Sequence, residues 1–454
     1  MAAADAPQEV GARRGRGQRR GVRGHGRRRR VDLPAEVIPV VLATEERCCP
    51  HCGLPYEELG SYEESEEIHR EVRVVRRIYR RARYRRTCQC RHLPAVIVAP
   101  PPSKLIPKGL FSVELVAWLL IEKFLLARPL GKILAALRME GLTVSPGTLT
   151  GVLARAAILL RPLYQDLLAR SRASSGWCAD ETSWTVFAPT EGKANFRWWL
   201  WVFVSADVVV YIVDPTRSGK VAARHLQPEG GDIASGWVMT DFFPGYNRLN
   251  DVLVRAGCWV HARRPILKAV AGYPELADWA AAWRERIACL YRLHAAWLKV
   301  PAASAACQQA EQDLRAHLDG IRRVLDEQLH AADLAPAAVA ALRLLDRQWP
   351  LLTRFLADPA IPLDNNEAER MLRTPVLGRK NFYGSGAPWS GELAAMLWSL
   401  AMTTQKNRQD PAAVLCGYLH ACARNGGRPP AAAERQKWHP WAIAAPSAVA
   451  GNGP

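Results

Sequence analysis

The stretch from Trp177 to Val213 departs from the helical period of the sequence on either side, and that departure limits what the chain can fold into. Three short runs, Trp184-Thr185-Val186-Phe187, Trp198-Trp199-Leu200-Trp201-Val202-Phe203 and Val208-Val209-Val210-Tyr211-Ile212-Val213, are β-branched and aromatic. Turn-forming residues separate them at Pro189 to Lys193 and at Ser205 to Asp207. The stretch from Trp177 to Val213 therefore predicts consecutive strands. A helix near Gly219 to Leu226 and a buried strand over Gly236 to Asp241 follow. Helical sequence lies on both sides, from Pro101 to about Arg170 and, rich in Ala and Leu, from about Lys268 to Phe355. Strands framed in this order outline a mixed α/β core, with the second helical stretch splitting it as an insertion.

At 454 residues the chain exceeds one simple core, so two to four domains are expected. Lys and Arg number 61 against 43 acids, a formal net charge of +18. Such a field draws polyanions, of which nucleic acid is the commonest. Charge alone does not separate a DNA enzyme from a ribosomal or membrane-surface protein. The longest apolar segments, Leu110 to Ala127 and Trp198 to Val213, are broken by Glu114, Glu122, Lys123 and Asp207, so no membrane helix is expected. The Arg- and Gly-rich beginning has no apolar stretch behind it, and no secretory signal is expected.

Residues 1–45 form a basic arm, with Arg13, Arg14, Arg16, Arg19, Arg20, Arg23 and Arg27 to Arg30 interleaved with Gly. A segment of this kind buries no core; it is either a solvated leader or a nonspecific phosphate-binding arm. Of 11 cysteines, five crowd between Cys48 and Cys90, which reads as a metal site in a reducing compartment rather than a disulfide framework. Cys49-x-x-Cys52 makes a zinc knuckle, because two thiolates on a tight turn reach one tetrahedral ion. The second pair, Cys88-x-Cys90, is spaced more tightly, and Cys48, His51 and His92 compete for one ligand position. A Zn²⁺ module over residues 46–95 is the expectation. The basic stretch Arg70 to Arg86 alternates apolar and charged residues, which predicts a short hairpin leading into the second pair.

Residues 96–172 read as helical. Phe111 to Leu126 and Leu130 to Leu137 precede a break at Gly141 to Val144, and Ser145-Pro146-Gly147-Thr148 opens a further helix with Ser at the N-cap and Pro at the first position. This is either a plain helical hairpin or a helix-turn-helix laying small polar residues on DNA.

Three acids stand out as candidate metal ligands. Asp180, in Ala179-Asp180-Glu181-Thr182, lies on the first core strand, where only one of Asp180 and Glu181 faces a given side. Asp241 follows a buried strand and precedes a Pro244-Gly245 turn, the kind of place where ligand groups collect in open α/β sheets. In Asp364-Asn365-Asn366-Glu367-Ala368-Glu369, Asp364 and Glu367 have capping-pair spacing at a helix start. Glu369 then remains, one turn along, on the face shared with Asn365 and Arg373. Three carboxylates suit two Mg²⁺ ions about 4 Å apart, the arrangement that serves phosphoryl transfer. Taken singly, each acid has an ordinary reading as a surface charge, a turn former or an ion-pair partner.

Several motifs, in this order, resemble those of insertion sequence 66 family transposases: CPHCG at Cys49, APPPSKLIPKGL, ADET at Asp180, TDFFPGYNRL at Asp241, AGCWVHARR from Ala256, DNNEAERMLR from Asp364 and LGRKNFYGSG from Leu377. The resemblance implies a DDE-type enzyme with a ribonuclease H-like catalytic core, in residues 173–267 and 358–408, interrupted by a helical insertion at 268–357 and followed by a C-terminal helix and flexible tail at 409–454. The overall class is α+β and multidomain. It implies Asp180, Asp241 and Glu369 as the triad, Mg²⁺ or Mn²⁺ as cofactor, cleavage at the element's ends, and strand transfer by the liberated 3′-hydroxyl.

Double-stranded DNA is the implied partner, bound by a homo-oligomer with accessory proteins, in the cytoplasm at the bacterial nucleoid. Arg263, Arg264, Arg373, Arg379 and Lys380 flank the motifs as candidates for DNA phosphates. The family's Cys-x-x-His matches Cys258 and His261, whose role is left between packing and chemistry. Two features depart from the family: the second cysteine pair is C-x-C, and the N-terminal heptad segment is replaced by the Arg-rich arm. A non-catalytic DNA-binding protein derived from a transposase is the alternative reading.

Overall fold

The computed structural model describes residues 36–57, 65, 72–87, 92, 94–189, 191–192, 195–226, 236–250, 253–331 and 333–442. The basic arm through residue 35, and Cys88 and Cys90, lie outside the described residues. The chain divides into two compact units, Met1–Glu71 and Val72–Pro454.

In the first unit a short 3-10 turn, Thr44–Arg47, leads to an isolated bridge between Cys48 and Pro55. The Cys49 N–H donates to Leu54 O at 2.8 Å and the Gly53 N–H to Cys49 O at 2.9 Å, so Cys49 and Cys52 share one tight loop. Gly53 turns that loop at a φ of 74°, which a side chain rarely adopts. Hydrogen bonds from the Cys52 and His51 backbone hold the Cys49 thiol below its ordinary value. Among the described residues, no three Cys, His, Asp or Glu side chains stand close enough, as arranged, to share one ion.

The second unit opens with an antiparallel pair, β1 (Arg83–Arg85) and β2 (Val96–Val98). The hairpin expected within Arg70 to Arg86 thus contributes one strand there, β1, which pairs with β2 further along the chain. Helix α1 (Val113–Leu120) passes into a π-turn over Ile121–Leu125, followed by α2 (Leu130–Met139) and α3 (Pro146–Arg172). Helix α3 starts as its sequence predicts, with the Ser145 hydroxyl accepting from the Thr148 N–H at 3.1 Å.

The main sheet contains β3 (Gly176–Thr185), β4 (Arg197–Val204), β5 (Val209–Asp214), β6 (Trp237–Thr240) and β7 (Val254–Gly257), with α4 (Lys220–Leu226) between β5 and β6. Its order is β5-β4-β3-β6-β7. Strands β5, β4 and β3 pair antiparallel in turn, whereas β6 and β7 run parallel to β3. Period-two alternation assigns each side chain to a layer. Trp177, Ala179, Trp201, Phe203 and Val238 pack on one side with Val221, Leu226 and Tyr246. Cys178, Leu200, Val202, Val204 and Met239 join the large core on the other side.

Beyond β7 come α5 (Trp259–Gly272), α6 (Ala277–Trp297), α7 (Ala305–Leu329) and α8 (Pro336–Leu352), so the stretch 268–357 is helical and its first helix starts ahead of it, followed by α9 (Asn366–Phe382), α10 (Pro388–Lys406) and α11 (Pro411–Arg424). In the insertion, Trp279 and Trp283 both donate to Gln328 Oε1, at 3.0 and 2.9 Å. Helix α10 is buried along most of its length and covers β5, an edge strand. The Ser399 hydroxyl accepts from the Tyr211 N–H at 2.8 Å, and Thr403 Oγ1 both accepts from the Val209 N–H and donates to Val209 O, each at 3.0 Å. The helix thereby satisfies ladder groups that would otherwise be a template for another chain. Thr403→Val keeps the shape and strands both backbone groups of Val209. An expected loss of about 2–4 kcal/mol follows from two buried unmade bonds, read as a lower midpoint in urea unfolding.

The tail expected to be flexible from about Arg424 is instead packed as far as residue 442. Short helix α12 (Ala432–Arg435) presents Arg435 to Asp166 of α3, with Nε at 2.9 Å, and His439 reaches the same carboxylate at 3.0 Å. Trp438 lies so close to Gly417 of α11 that a β-carbon there would meet its ring. Arg435 and His439 on one partly buried acid, with a ring over a glycine, outweigh the tail's Pro- and Ala-rich composition.

Candidate active site

Strand register brings the first two acids together. The parallel β3–β6 pairing ends at Cys178 opposite Met239. Two residues further along each segment stand Asp180, still on β3, and Asp241, just past the end of β6, close enough for the charge of Asp241 to be felt at Asp180. Asp180 shares the parity of Cys178, so it points to the layer that contains α9, while Glu181 points to the opposite layer. There the Glu181 carboxylate, its side chain fully buried, accepts from Tyr246 Oη at 2.7 Å and from Arg217 Nε at 2.8 Å. Glu181 is thus paired away, and the choice between the two adjacent acids falls on Asp180.

Asp241 caps the end of β6. Its Oδ1 accepts from the Phe243 N–H at 2.9 Å, which turns the chain into the Pro244–Leu249 3-10 segment. Its backbone is fixed by Arg255, a buried arginine on β7. Arg255 Nη2 donates to Asp241 O at 3.1 Å, Nε to Thr240 Oγ1 at 3.1 Å and Nη1 to Asn247 Oδ1. Sequence reasoning passed over Arg255; a lone arginine between Val254 and Ala256 was the available signal.

The third acid arrives on the first turn of α9. Asn365, fully buried, is the N-cap and donates from Nδ2 to Ala179 O at 2.8 Å, next to Asp180. Its own N–H donates to Cys258 Sγ at 3.3 Å, and the Trp259 N–H donates to Leu363 O at 3.0 Å. Burial pushes the Cys258 thiol up to about 11, so it stays neutral and acts as an acceptor. The capping pair expected of Asp364 and Glu367 does not form. Asp364 accepts from the Asn366 N–H at 3.0 Å and from Tyr291 Oη of α6 at 3.0 Å, while Glu367 pairs with Lys406 of α10. Both acids are engaged structurally, by partners remote in sequence, and Glu369 is left facing inward.

The Glu369 Oε1 atom is buried without a hydrogen-bond partner. His261 Nε2 lies 3.4 Å from it and Arg264 Nη2 3.9 Å. Burial, with the charge of Arg264, holds His261 below its ordinary value, against the pull of Glu369 and Asp241. Asp180 is pushed up to about 7, first by burial and then by the charge of Glu181, with Asp241 and Glu369 adding to it and a bond from the Glu181 N–H opposing. The three acids therefore sense one another, although they are not drawn around a common point. A buried carboxylate oxygen without a hydrogen-bond partner and a carboxyl pushed up by burial and by its acidic neighbours are what a cluster of acids shows when no cation lies among them. Hard carboxylate oxygens are the donor set that Mg²⁺ or Mn²⁺ takes.

The basic candidates differ in placement. Arg373 and Lys380 are exposed on α9, and Arg264 is exposed on α5 beside Glu369. Arg263 is half-buried near Tyr291. Arg379 turns back onto β3, where Nη1 donates to Thr182 Oγ1 at 2.9 Å and to Ser183 Oγ at 2.8 Å, tying helix to sheet. Among the described residues, no helix is long and apolar enough to cross a membrane.

The sequence pattern of the IS66 family of transposases matches residues 108–393, a span containing all three acids. Among curated relatives from Sinorhizobium fredii, uncharacterized protein y4qI is 27% identical over 336 residues, covering 70% of this chain and 60% of that protein. Uncharacterized protein y4jD is 26% identical over 428 residues, with 89% and 81% covered, and uncharacterized protein y4hP is 24% identical over 461 residues, with 92% and 79% covered. The chain thus spans three-fifths of the first relative's length and about four-fifths of the other two. With well over half of its residues matching the family pattern, this chain belongs to the IS66 transposase family.

Proposed function

We propose that this chain is a DNA transposase whose Asp180, Asp241 and Glu369 hold divalent metal ions for cutting and joining DNA. The observation that carries this reading is the convergence of three acids from β3, the end of β6 and the start of α9, with a Glu369 oxygen buried and unpartnered. An antiparallel three-strand meander extended by two parallel strands supports reading the sheet as a ribonuclease H-like core.

Mg²⁺ or Mn²⁺ bound by these oxygens supplies activation of the attacking oxygen and stabilisation of the leaving one. The protein's own groups set where that takes place. Asp180 and Asp241 are fixed by strand register and by Arg255, whereas Glu369 enters on a helix pinned by Asn365 and Cys258. Arg264, exposed beside Glu369, offers a cation where a scissile phosphate would arrive. His261, half-buried 3.4 Å from Glu369 and held below its ordinary value by burial and the charge of Arg264, lines the same side of the site. In the first step water attacks a phosphodiester at the element's end and the 3′-oxygen leaves as a hydroxyl. In the second, that hydroxyl attacks a target phosphodiester, and the target's own 3′-oxygen leaves.

The experiment is incubation of a labelled element-end duplex with the full chain in Mg²⁺, Mn²⁺ or excess chelator. Nicking that leaves a 3′-hydroxyl, followed by joining to target DNA, is expected with either metal and none with chelator. Tight binding without nicking under every condition, including with accessory proteins encoded alongside, would instead mark a non-catalytic DNA-binding protein.

A further inference from the structure

The exposed face of α9 leads away from Glu369 to a group of displayed aromatic rings. Arg370, Arg373, Leu377 and Lys380 recur at helical spacing and are all exposed, with Leu377 at 55%. The helix ends at Tyr383, whose ring is 71% exposed and whose backbone is left-handed at a φ of 66°, unusual for an aromatic residue. Gly384 follows at a φ of 151°, packed so tightly on Thr185 O that a β-carbon would collide with it. The Ser385 N–H donates to Thr185 O at 2.8 Å and the Phe187 N–H to Ser385 O at 2.8 Å. This stitching fixes the end of α9 beside Phe187. Phe187 and Phe196 are themselves 50% and 47% exposed, with ring centroids 6.3 Å apart, and Arg197 is exposed next to Phe196.

Two large rings exposed side by side, with a third at the helix end stitched beside them, form the kind of apolar patch that marks an interaction site. Cations beside them select for an anionic one, and the π-faces suit a nucleobase of any sequence. We propose that Tyr383, with Phe187 and Phe196, is a stacking platform for an unpaired base of the DNA strand whose phosphates run along α9. This rests on the transposase reading and extends it. Fourteen helical residues separate Glu369 from Tyr383, about 21 Å at 1.5 Å per residue. At 3.4 Å per nucleotide along one strand, the stacked base lies about six nucleotides from the phosphate being cut.

The test uses element-end duplexes carrying one 5-iodo-deoxyuridine at successive positions, bound by the full chain in Ca²⁺ and irradiated. Cross-linking to a peptide containing Tyr383 or Phe187 should peak about six nucleotides from the cut. Tyr383→Ala should weaken binding by about tenfold with an unchanged salt slope, because stacking is lost and no phosphate contact is. Tyr383→Trp should restore it. Arg373→Ala should instead lower the salt slope by about one. Wild-type binding and cutting by Tyr383→Ala, with Arg373→Ala impaired, overturns the platform and leaves the transposase reading standing. A change of oligomeric state on Tyr383→Ala without DNA overturns it in favour of a contact between copies. Failure of the wild type to bind any duplex overturns both.

Discussion

Asp241→Asn is expected to bind element-end DNA like the wild type and to cut it on the order of 10³-fold more slowly, or worse. The acid closes β6, its Oδ1 accepts the Phe243 N–H, and an asparagine keeps both that acceptor and the side-chain volume. Arg255 holds the backbone at this position through the Asp241 carbonyl, which the substitution leaves untouched. The change therefore removes charge without removing structure. Metal ions contribute several kcal/mol to charge stabilisation in phosphoryl transfer, and each 1.36 kcal/mol is tenfold in rate. Single-turnover cleavage in Mg²⁺, with thermal unfolding as the control for folding, reads the effect. Near wild-type cleavage by the variant would remove Asp241 from the chemistry.

The second large effect is one of stability and has the opposite sign from the usual cost of a core substitution. Burial and the surrounding acids push the Asp180 carboxyl up to about 7, from an ordinary 3.8. Between those values the folded, metal-free protein retains a proton that the unfolded chain has released. Stability from this group is therefore fully present below about pH 4 and is lost as pH rises through 7. Asp180→Asn removes the dependence. At pH 8 without metal the variant should be more stable than the wild type by about 2–4 kcal/mol, given roughly 1.4 kcal/mol per pKa unit, while near pH 4 the two should converge. Millimolar Mg²⁺ should raise the wild-type midpoint and leave the variant's unmoved, since only a binder of the native state stabilises it. Urea unfolding at pH 4 and pH 8, with and without Mg²⁺, measures all four arms. A wild type more stable than the variant at pH 8 in chelator would mean that Asp180 already has a positive partner.

The particular residues show why parts of this molecule were legible in the sequence and others were not. Strands β3, β4 and β5 announced themselves because each is long enough for aromatic and β-branched residues to repeat, and Ser145-Pro146 marked the start of α3 because capping is local. Strand β7, Val254–Gly257, is as short as β6 but lacks its unbroken apolar run, since Arg255 interrupts it and Gly257 ends it. Its Arg255 reads as a surface charge until the fold buries it against the Asp241 loop. Asp364 and Glu367 had the spacing of a local cap, yet their partners are Tyr291 and Lys406, tens of residues away, and no local rule contains such contacts. Asn365 is the sharpest instance. Its side chain joins Ala179 to the start of α9 across 186 residues, and in sequence it is one of two adjacent asparagines. The three acids are candidates from motif order and local position; the charge that Asp241 and Glu369 exert on Asp180 and the unpartnered Glu369 oxygen belong to the fold alone.

The central claim is that Asp180, Asp241 and Glu369 make one metal site while their neighbouring acids do not. Mn²⁺ binding followed by electron paramagnetic resonance, on the full chain bound to element-end duplex, tests it most directly. Asp180→Asn, Asp241→Asn and Glu369→Gln should each weaken Mn²⁺ binding by tenfold or more, consistent with the loss of a first ligand or its support, whereas Asp364→Asn and Glu367→Gln should bind as the wild type does. Equal Mn²⁺ binding by all five variants, or loss on Asp364→Asn or Glu367→Gln instead, would contradict the site as assigned.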